Sequence, residues 1–241
     1  MPRFFVDSSI LARGTLSGED ARHIGRSLRM KVGDGLCLCD GHAVEYRCII
    51  TEILPDEVRF EVEGEEKSRA EPSVAVTLFQ GYPKADKFET ILQKSVELGV
   101  SRVVPVLTGR CVARPDAKSG QKKRERFQKI VLEAAKQSGR GIVPEVGAFC
   151  SFGEAVKQAE TLDMLLLFYE SGGVTLSGVL NSEGPSIGVF IGPEGGFDPE
   201  EVMAAQDAGG QIVSLGPRIL RTETAPIAAL SVIQYVTGNL S

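Results

Sequence analysis

The chain has 241 residues, 42% of them hydrophobic and 24% charged, and a formal net charge of −5. That composition belongs to globular proteins and excludes disordered, collagen-like and membrane-spanning classes, while the length allows one large domain or two modest ones. Five cysteines without a Cys-x-x-Cys pair and only two histidines, His23 and His42, argue against a disulfide framework or a metal site.

The opening Met-Pro-Arg-Phe-Phe-Val-Asp7 has too short an apolar stretch for a signal peptide, so the expected location is the cytoplasm. Residues 1–70 read as a β-rich unit. Apolar runs at 36–38, 46–54 and 58–62 are separated by the turn dipeptides Asp40-Gly41 and Pro55-Asp56, which predicts hairpins closing into a small barrel. One short helix is expected over 19–28, with Ile24 and Leu28 on one face and Arg22, Arg26 and Arg29 on others. The Glu-rich, Pro-ended stretch 61–72 reads as the linker.

From residue 71 to 241 the rhythm changes to strand, then helix. Aliphatic runs at 74–79, 102–107, 163–168, 187–191 and 211–215 alternate with amphipathic segments, the pattern of a parallel α/β sheet. Asp86 with Glu89 opens a helix ending at Gly99, Asp198-Pro199 with Glu201 opens another ending at Gly209, and Thr224-x-Pro226 opens the last, running to about Val236.

Charge is unevenly spread. Residues 102–140 carry eleven Lys/Arg against three acids, whereas 145–217 carry one Lys against eleven acids, so local charge informs about partners and the global balance does not. On the helix expected near 124–139, Arg126, Lys129, Glu133, Gln137 and Arg140 share one face, opposite Phe127, Ile130, Val131, Ala134 and Ser138. That polar row is either an RNA rail or an ordinary solvated face with Lys129 and Glu133 paired. Cys37 and Cys39 alternate along a strand and read as small buried apolar residues.

Two loops carry chemistry. Phe190-Ile-Gly-Pro-Glu-Gly-Gly-Phe197 joins a strand to a capped helix, and glycines 192, 195 and 196 let a flat or anionic ligand approach exposed N–H groups. It matches neither a Walker loop nor a dinucleotide fingerprint, and a plain tight turn is the competing reading. Ser214-Leu-Gly-Pro-Arg-Ile-Leu-Arg-Thr-Glu-Thr-Ala225 also joins strand to helix; its Arg218 and Arg221 exceed what a turn needs, unless Arg221 simply pairs with Glu223. No histidine lies after residue 42, which excludes a Ser-His-Asp triad in the α/β part.

These two loops resemble the cofactor motifs of the RsmE family of 16S ribosomal RNA (uracil-N3) methyltransferases, within the SPOUT superfamily. Arg3-Phe4-Phe5, His23-Ile24, Leu28-Arg29-Met30-Lys31-x-Gly33-Asp34 and Asp40-Gly41 are similar to that family's N-terminal PUA-like barrel. Lys84-x-Asp86-Lys87, Glu97-Leu98-Gly99, Arg126-x-x-Lys129-Ile130, Glu133-Ala134-x-x-Gln137-Ser138-Gly139-Arg140 and Pro144-Glu-Val146 are similar to its catalytic domain. The resemblance implies a PUA-like RNA-binding barrel over 1–70 and an α/β SPOUT-type parallel sheet with a deep trefoil knot over 71–241. It implies a homodimer acting without metal on 16S rRNA or the assembled small subunit. S-adenosylmethionine would be bound by Leu167, Gly192, Pro193, Gly195, Gly196, Leu215, Gly216, Ile219, Leu220 and Thr224.

Uracil N3 is a poor nucleophile until its proton leaves. Arg221 is therefore expected to stabilise the uracil anion and Glu194 to position or deprotonate the base, the latter only with a raised pKa. RNA would be met by Arg126, Lys129 and Arg140 and by Arg3, Arg22, Arg26 and Arg29. A SPOUT enzyme for another rRNA or tRNA position and a non-catalytic RNA-binding module are the competing classes.

Overall fold

The computed structural model describes residues 1–180 and 186–240. The chain divides into two compact units, residues 1–71 with 135–143, and residues 72–134 with 144–241. The first therefore recruits a second segment, 135–143, that composition alone assigned to the catalytic part.

The first unit holds β1 (Arg3–Phe5), α1 (Ser8–Arg13), β2 (Thr15–Ser17), α2 (Glu19–Arg22), β3 (Gly35–Cys39), β4 (Val44–Ile53) and β5 (Glu57–Lys67). Its five strands follow the order β1-β3-β4-β5-β2, antiparallel except for the β1/β3 pair. Phe4, Leu16, Ile24, Leu36, Leu38, Ile50, Val58 and Phe60 fill its core. Cys37, Cys39 and Cys48 are buried free thiols here, the first two as their alternation suggested.

Two local expectations are corrected. The helix over 19–28 is α2 followed by one π-helical turn, His23–Ser27, closed by the Leu28 N–H on the His23 carbonyl at 2.9 Å; this turn buries Ile24 but leaves Leu28 exposed. The segment read as a linker from residue 61 is strand up to Lys67, because the β4 ladder continues as far as Val44 opposite Lys67 although nothing covers either face. Asp7, unremarked in the sequence, caps α1 by accepting from the Ser9 N–H at 2.9 Å, and Gly14 ends that helix at φ +65°.

The second unit holds β6 (Ala75–Gly81), α3 (Lys87–Glu97), β7 (Arg102–Leu107), α4 (Ala117–Ser138), β8 (Glu145–Val146), β9 (Cys150–Ser151), α5 (Phe152–Ala159), β10 (Met164–Phe168), β11 (Val174–Thr175), β12 (Ser186–Ile191), α6 (Pro199–Asp207), β13 (Gln211–Ser214) and α7 (Ala225–Val236). The last turns of α4, from Ala135, are counted with the first unit. All strand pairs are parallel in the order β11-β13-β10-β12-β6-β7-β8, with β9 beside β7. Strands covered on both faces explain why these runs read as continuous aliphatics. Phe79 and Phe190 stack at 4.5 Å between ring centroids, with Phe152 and Phe197 packed edge-on nearby.

The helix starts differ from one another. Asp198 and Glu201 form a capping box on α6, as expected, whereas Asp86 stands at the head of α3 without a capping hydrogen bond. On α7 Leu230 is buried, while Val232 and Tyr235 are exposed.

Candidate active site

β10 lies between β12 and β13, and all three run parallel, so their carboxyl ends emerge side by side. The segments after them wall one cavity of about 540 Å³: Phe168 to Glu170, Ile191 to Phe197, and Ser214 to Thr222, with Lys87 and Ala225 from the starts of α3 and α7. The size and the mixture of apolar walls with a few charged groups suit a small-molecule site.

Backbone packs tightly around the glycine loop. A Cβ on Gly81, at the end of β6, would lie 2.5 Å from the Pro193 nitrogen and 2.9 Å from the Gly192 carbonyl carbon. One on Gly192 would lie 3.0 Å from the Gly196 Cα. Gly196 adopts φ +70°, and a Cβ there would sit 2.9 Å from Glu170 Oε1. The buried Thr222 hydroxyl donates to the Gly192 carbonyl at 2.8 Å and accepts from the fully buried Gln80 Nε2 at 3.1 Å, tying the two motif loops together. Behind them Arg110 donates to Asp198 Oδ1 at 2.7 Å and to the Gly195 carbonyl at 2.9 Å.

Of the residues expected to hold the cofactor, Gly192, Pro193, Gly195, Gly196, Leu215, Gly216, Ile219 and Leu220 line the cavity. Leu167 does not; it is fully buried in the core under the sheet, because successive strand residues point to opposite faces, and its neighbours Phe168 and Tyr169 reach the cavity instead. Thr224 is also off the lining, its N–H turned back onto the Arg221 carbonyl at 2.8 Å; Thr222 takes its place. A Cβ on Gly195 would press on Arg110 at 3.0 Å, whereas one on Gly216, at φ +96°, would meet open space.

Arg221 and Glu194, the two residues expected to act on the base, both line the cavity. Arg221 is exposed, and among the described residues its guanidinium has no hydrogen bond or contact ion pair, though its charge is felt by Glu223. Glu194 is held by the Lys84 N–H at 3.2 Å and by the Lys87 ammonium at 3.1 Å. Burial pushes its carboxyl up, but hydrogen bonds from backbone N–H groups and the Lys87 charge outweigh that and set it below the usual carboxylate range. A lowered carboxyl works against deprotonation of the base by Glu194, and its place in the geometry is that of an anchored anion. The resemblance gives Lys87 no role beyond its place in Lys84-x-Asp86-Lys87 and gives Glu170 none, whereas the strand end from Leu166 to Tyr169, which it implies lies beside the cofactor, does reach the cavity through Phe168 and Tyr169.

The cationic surface is smaller than charge counting suggested. Arg140 is turned inward, its side chain 4% exposed and donating to Glu71 at 2.7 Å, since the loop after α4 is built into the first unit. Arg3 likewise faces Glu45 at 2.8 Å and Cys39 rather than solvent. Arg126 is exposed but ion-paired with Glu89. Lys129, Arg22, Arg26 and Arg29 are exposed, Arg22 standing 3.7 Å from Asp56.

An RNA methyltransferase domain model matches residues 70–234, and an RNA methyltransferase PUA domain model matches residues 16–63. Ribosomal RNA small subunit methyltransferase E of Bacillus subtilis is 36% identical over 94% of this chain and 91% of its own length. The crystal structure of that enzyme from Neisseria gonorrhoeae, bound to S-adenosyl methionine, is 34% identical with a TM-score of 0.87, covering 98% of each chain. A Legionella pneumophila structure in complex with the same cofactor is 31% identical with a TM-score of 0.85, covering 98% of this chain and 97% of that one. On these matches, which span both units and the whole cavity, the chain belongs to the ribosomal RNA small subunit methyltransferase E family, RNA methyltransferases that join a PUA domain to an α/β SPOUT-type catalytic domain.

Proposed function

We propose that this chain methylates N3 of a uridine in 16S ribosomal RNA, with S-adenosylmethionine as donor. The observation that carries the reading is the unpaired Arg221 on a cavity walled by glycine and aliphatic loops at three parallel strand ends. The cavity residues fit the cofactor: Gly192, Gly196 and Gly216 leave backbone bare for a ring or carboxylate to approach, and Leu215, Ile219 and Leu220 offer apolar faces to an adenine. When bound, S-adenosylmethionine supplies an electrophilic methyl group.

The chain's residues then have distinct tasks. Arg221 stabilises the negative charge that spreads to the uracil oxygens as N3 gives up its proton, an interaction stronger in the transition state than in the ground state. Glu194, ionised and anchored to Lys84 and Lys87, holds the glycine loop against the start of α3. The exposed Arg22, Arg26 and Arg29 of the PUA unit and Lys129 of α4 meet RNA phosphates. Further parts of the proposal are a trefoil knot in the catalytic domain, a homodimer through the exposed Val232 and Tyr235 face of α7, and action in the cytoplasm on rRNA or the small subunit. Among the described residues no helix is long and apolar enough to cross a membrane.

Methyl transfer from labelled S-adenosylmethionine to 16S rRNA tests the reading. Arg221→Ala is expected to keep RNA binding and lose roughly two or more powers of ten in kcat. Wild-type turnover in that variant would remove Arg221 from the chemistry.

A further inference from the structure

Arg221 and Glu223 are two residues apart on one loop, opposite in charge, and the simplest outcome would be a pair between them. In the structure no ion pair or hydrogen bond joins them, although Glu223 still feels the Arg221 charge. Glu223 Oε2 lies 3.2 Å from the Lys87 ammonium, which also stands 3.1 Å from Glu194 Oε1, so one cation from α3 bridges a carboxylate of each motif loop. The Glu223 contact is an ion pair without hydrogen-bond alignment, and that oxygen is otherwise buried without a partner. Lys87 is the first residue of α3, where the helix dipole disfavours a cation, so its placement is offset only by the two carboxylates. Its pKa is raised by both, so it stays an ammonium and does not serve as a base.

We propose that Lys87 is a positioning residue: by holding Glu223 on its own ammonium, it keeps the Arg221 guanidinium free to face the substrate anion. An arginine paired to a carboxylate would present a neutralised group to the developing charge and lose most of its electrostatic value there. This rests on the reading of Arg221 given under Proposed function. Without Lys87, Glu223 turns to Arg221 and neutralises it, while Arg218, the other arginine on the lining, and the cavity walls remain.

The test is a set of full-length variants: K87M, K87R, E223Q, K87M/E223Q and R221A. K87M is expected to lower kcat about tenfold or more with S-adenosylhomocysteine affinity within roughly twofold of wild type; K87R, able to bridge both carboxylates, keeps most activity. Removing the carboxylate should undo the damage, so K87M/E223Q recovers to within about threefold of E223Q alone. A role as a plain staple between loops predicts no such recovery, and a double variant as slow as K87M overturns the proposal. If instead R221A turns over like wild type, it is the reading of Arg221 that has failed. A second readout needs no turnover and no folded K87M: the Arg221 Nε–H signal in nitrogen-15 NMR. Its exchange with solvent is expected to be as fast in the wild-type chain as in E223Q; slower exchange in the wild type shows that Arg221 was already paired with Glu223, and the proposal falls.

Discussion

Arg140→Ala separates a buried strut from an RNA contact. The Arg140 side chain is 4% exposed, and its guanidinium meets both Glu71 oxygens, Nε at 3.0 Å to each and Nη2 at 2.7 Å to Oε2. Glu71 also accepts from the Gly141 and Ile142 N–H groups at 2.8 and 3.1 Å. Truncation leaves the carboxylate, itself 13% exposed, with those two backbone donors and no countercharge. Breaking a buried pair from one side costs about 3–5 kcal/mol. With a urea m value of roughly 2–3 kcal/mol/M, the midpoint should fall by about 1–2 M. The double change Arg140→Met with Glu71→Gln should recover much of that loss, because it removes the stranded charge. RNA binding by the folded fraction should keep its salt dependence. A midpoint shift under about 0.4 M (~1 kcal/mol) together with a flatter salt dependence would refute the reasoning and put Arg140 on the RNA.

Gly81→Val should push the Pro193 turn outward, costing about 1–3 kcal/mol of stability and most of the S-adenosylhomocysteine affinity by calorimetry. Gly216→Val should weaken the cofactor through strain at φ +96°, while unchanged affinity in both folded variants would remove the loops from the site. Lys129→Ala should flatten the log K against log salt plot by about 0.7–0.9, and Arg126→Ala by less, because Glu89 already neutralises Arg126. The Lys87 bridge has a pH window. Glu194 and Glu223 titrate below their ordinary 4.5, so their contribution is complete above that and fades as acid protonates them; Lys87 titrates above its ordinary 10.5, so its share is complete below that and fades in alkali. Urea midpoints measured across pH should thus show no pH dependence from these three groups between about 5 and 10, where their contribution is complete and constant.

Much of the fold was legible because its signals are local. The five aliphatic runs of the catalytic part, the Asp198 capping box and the two turn dipeptides of the PUA unit each depend on neighbours in sequence, and each element stands within a few residues of its expected place. The strand from residue 61 to Lys67 was missed because alternation marks a strand only where one face is buried, and here neither is. The site was legible where backbone demands glycine and opaque where it depends on partners distant in the chain. Arg140 looked like a rail residue by helical phase, but its fate was decided by Glu71, 69 positions away. Lys87 joins Glu194 and Glu223 across more than a hundred residues, so no spacing rule links them.

The central claim is the position methylated. Purified chain, S-adenosylmethionine and 16S rRNA or small subunits isolated from cells lacking this protein should be incubated together and the RNA digested for nucleoside mass spectrometry. The proposed chemistry predicts that 3-methyluridine appears, approaching one per rRNA, and that no other methylated nucleoside rises. Methyl transfer to a different base, to a ribose or to no nucleoside at all would contradict it.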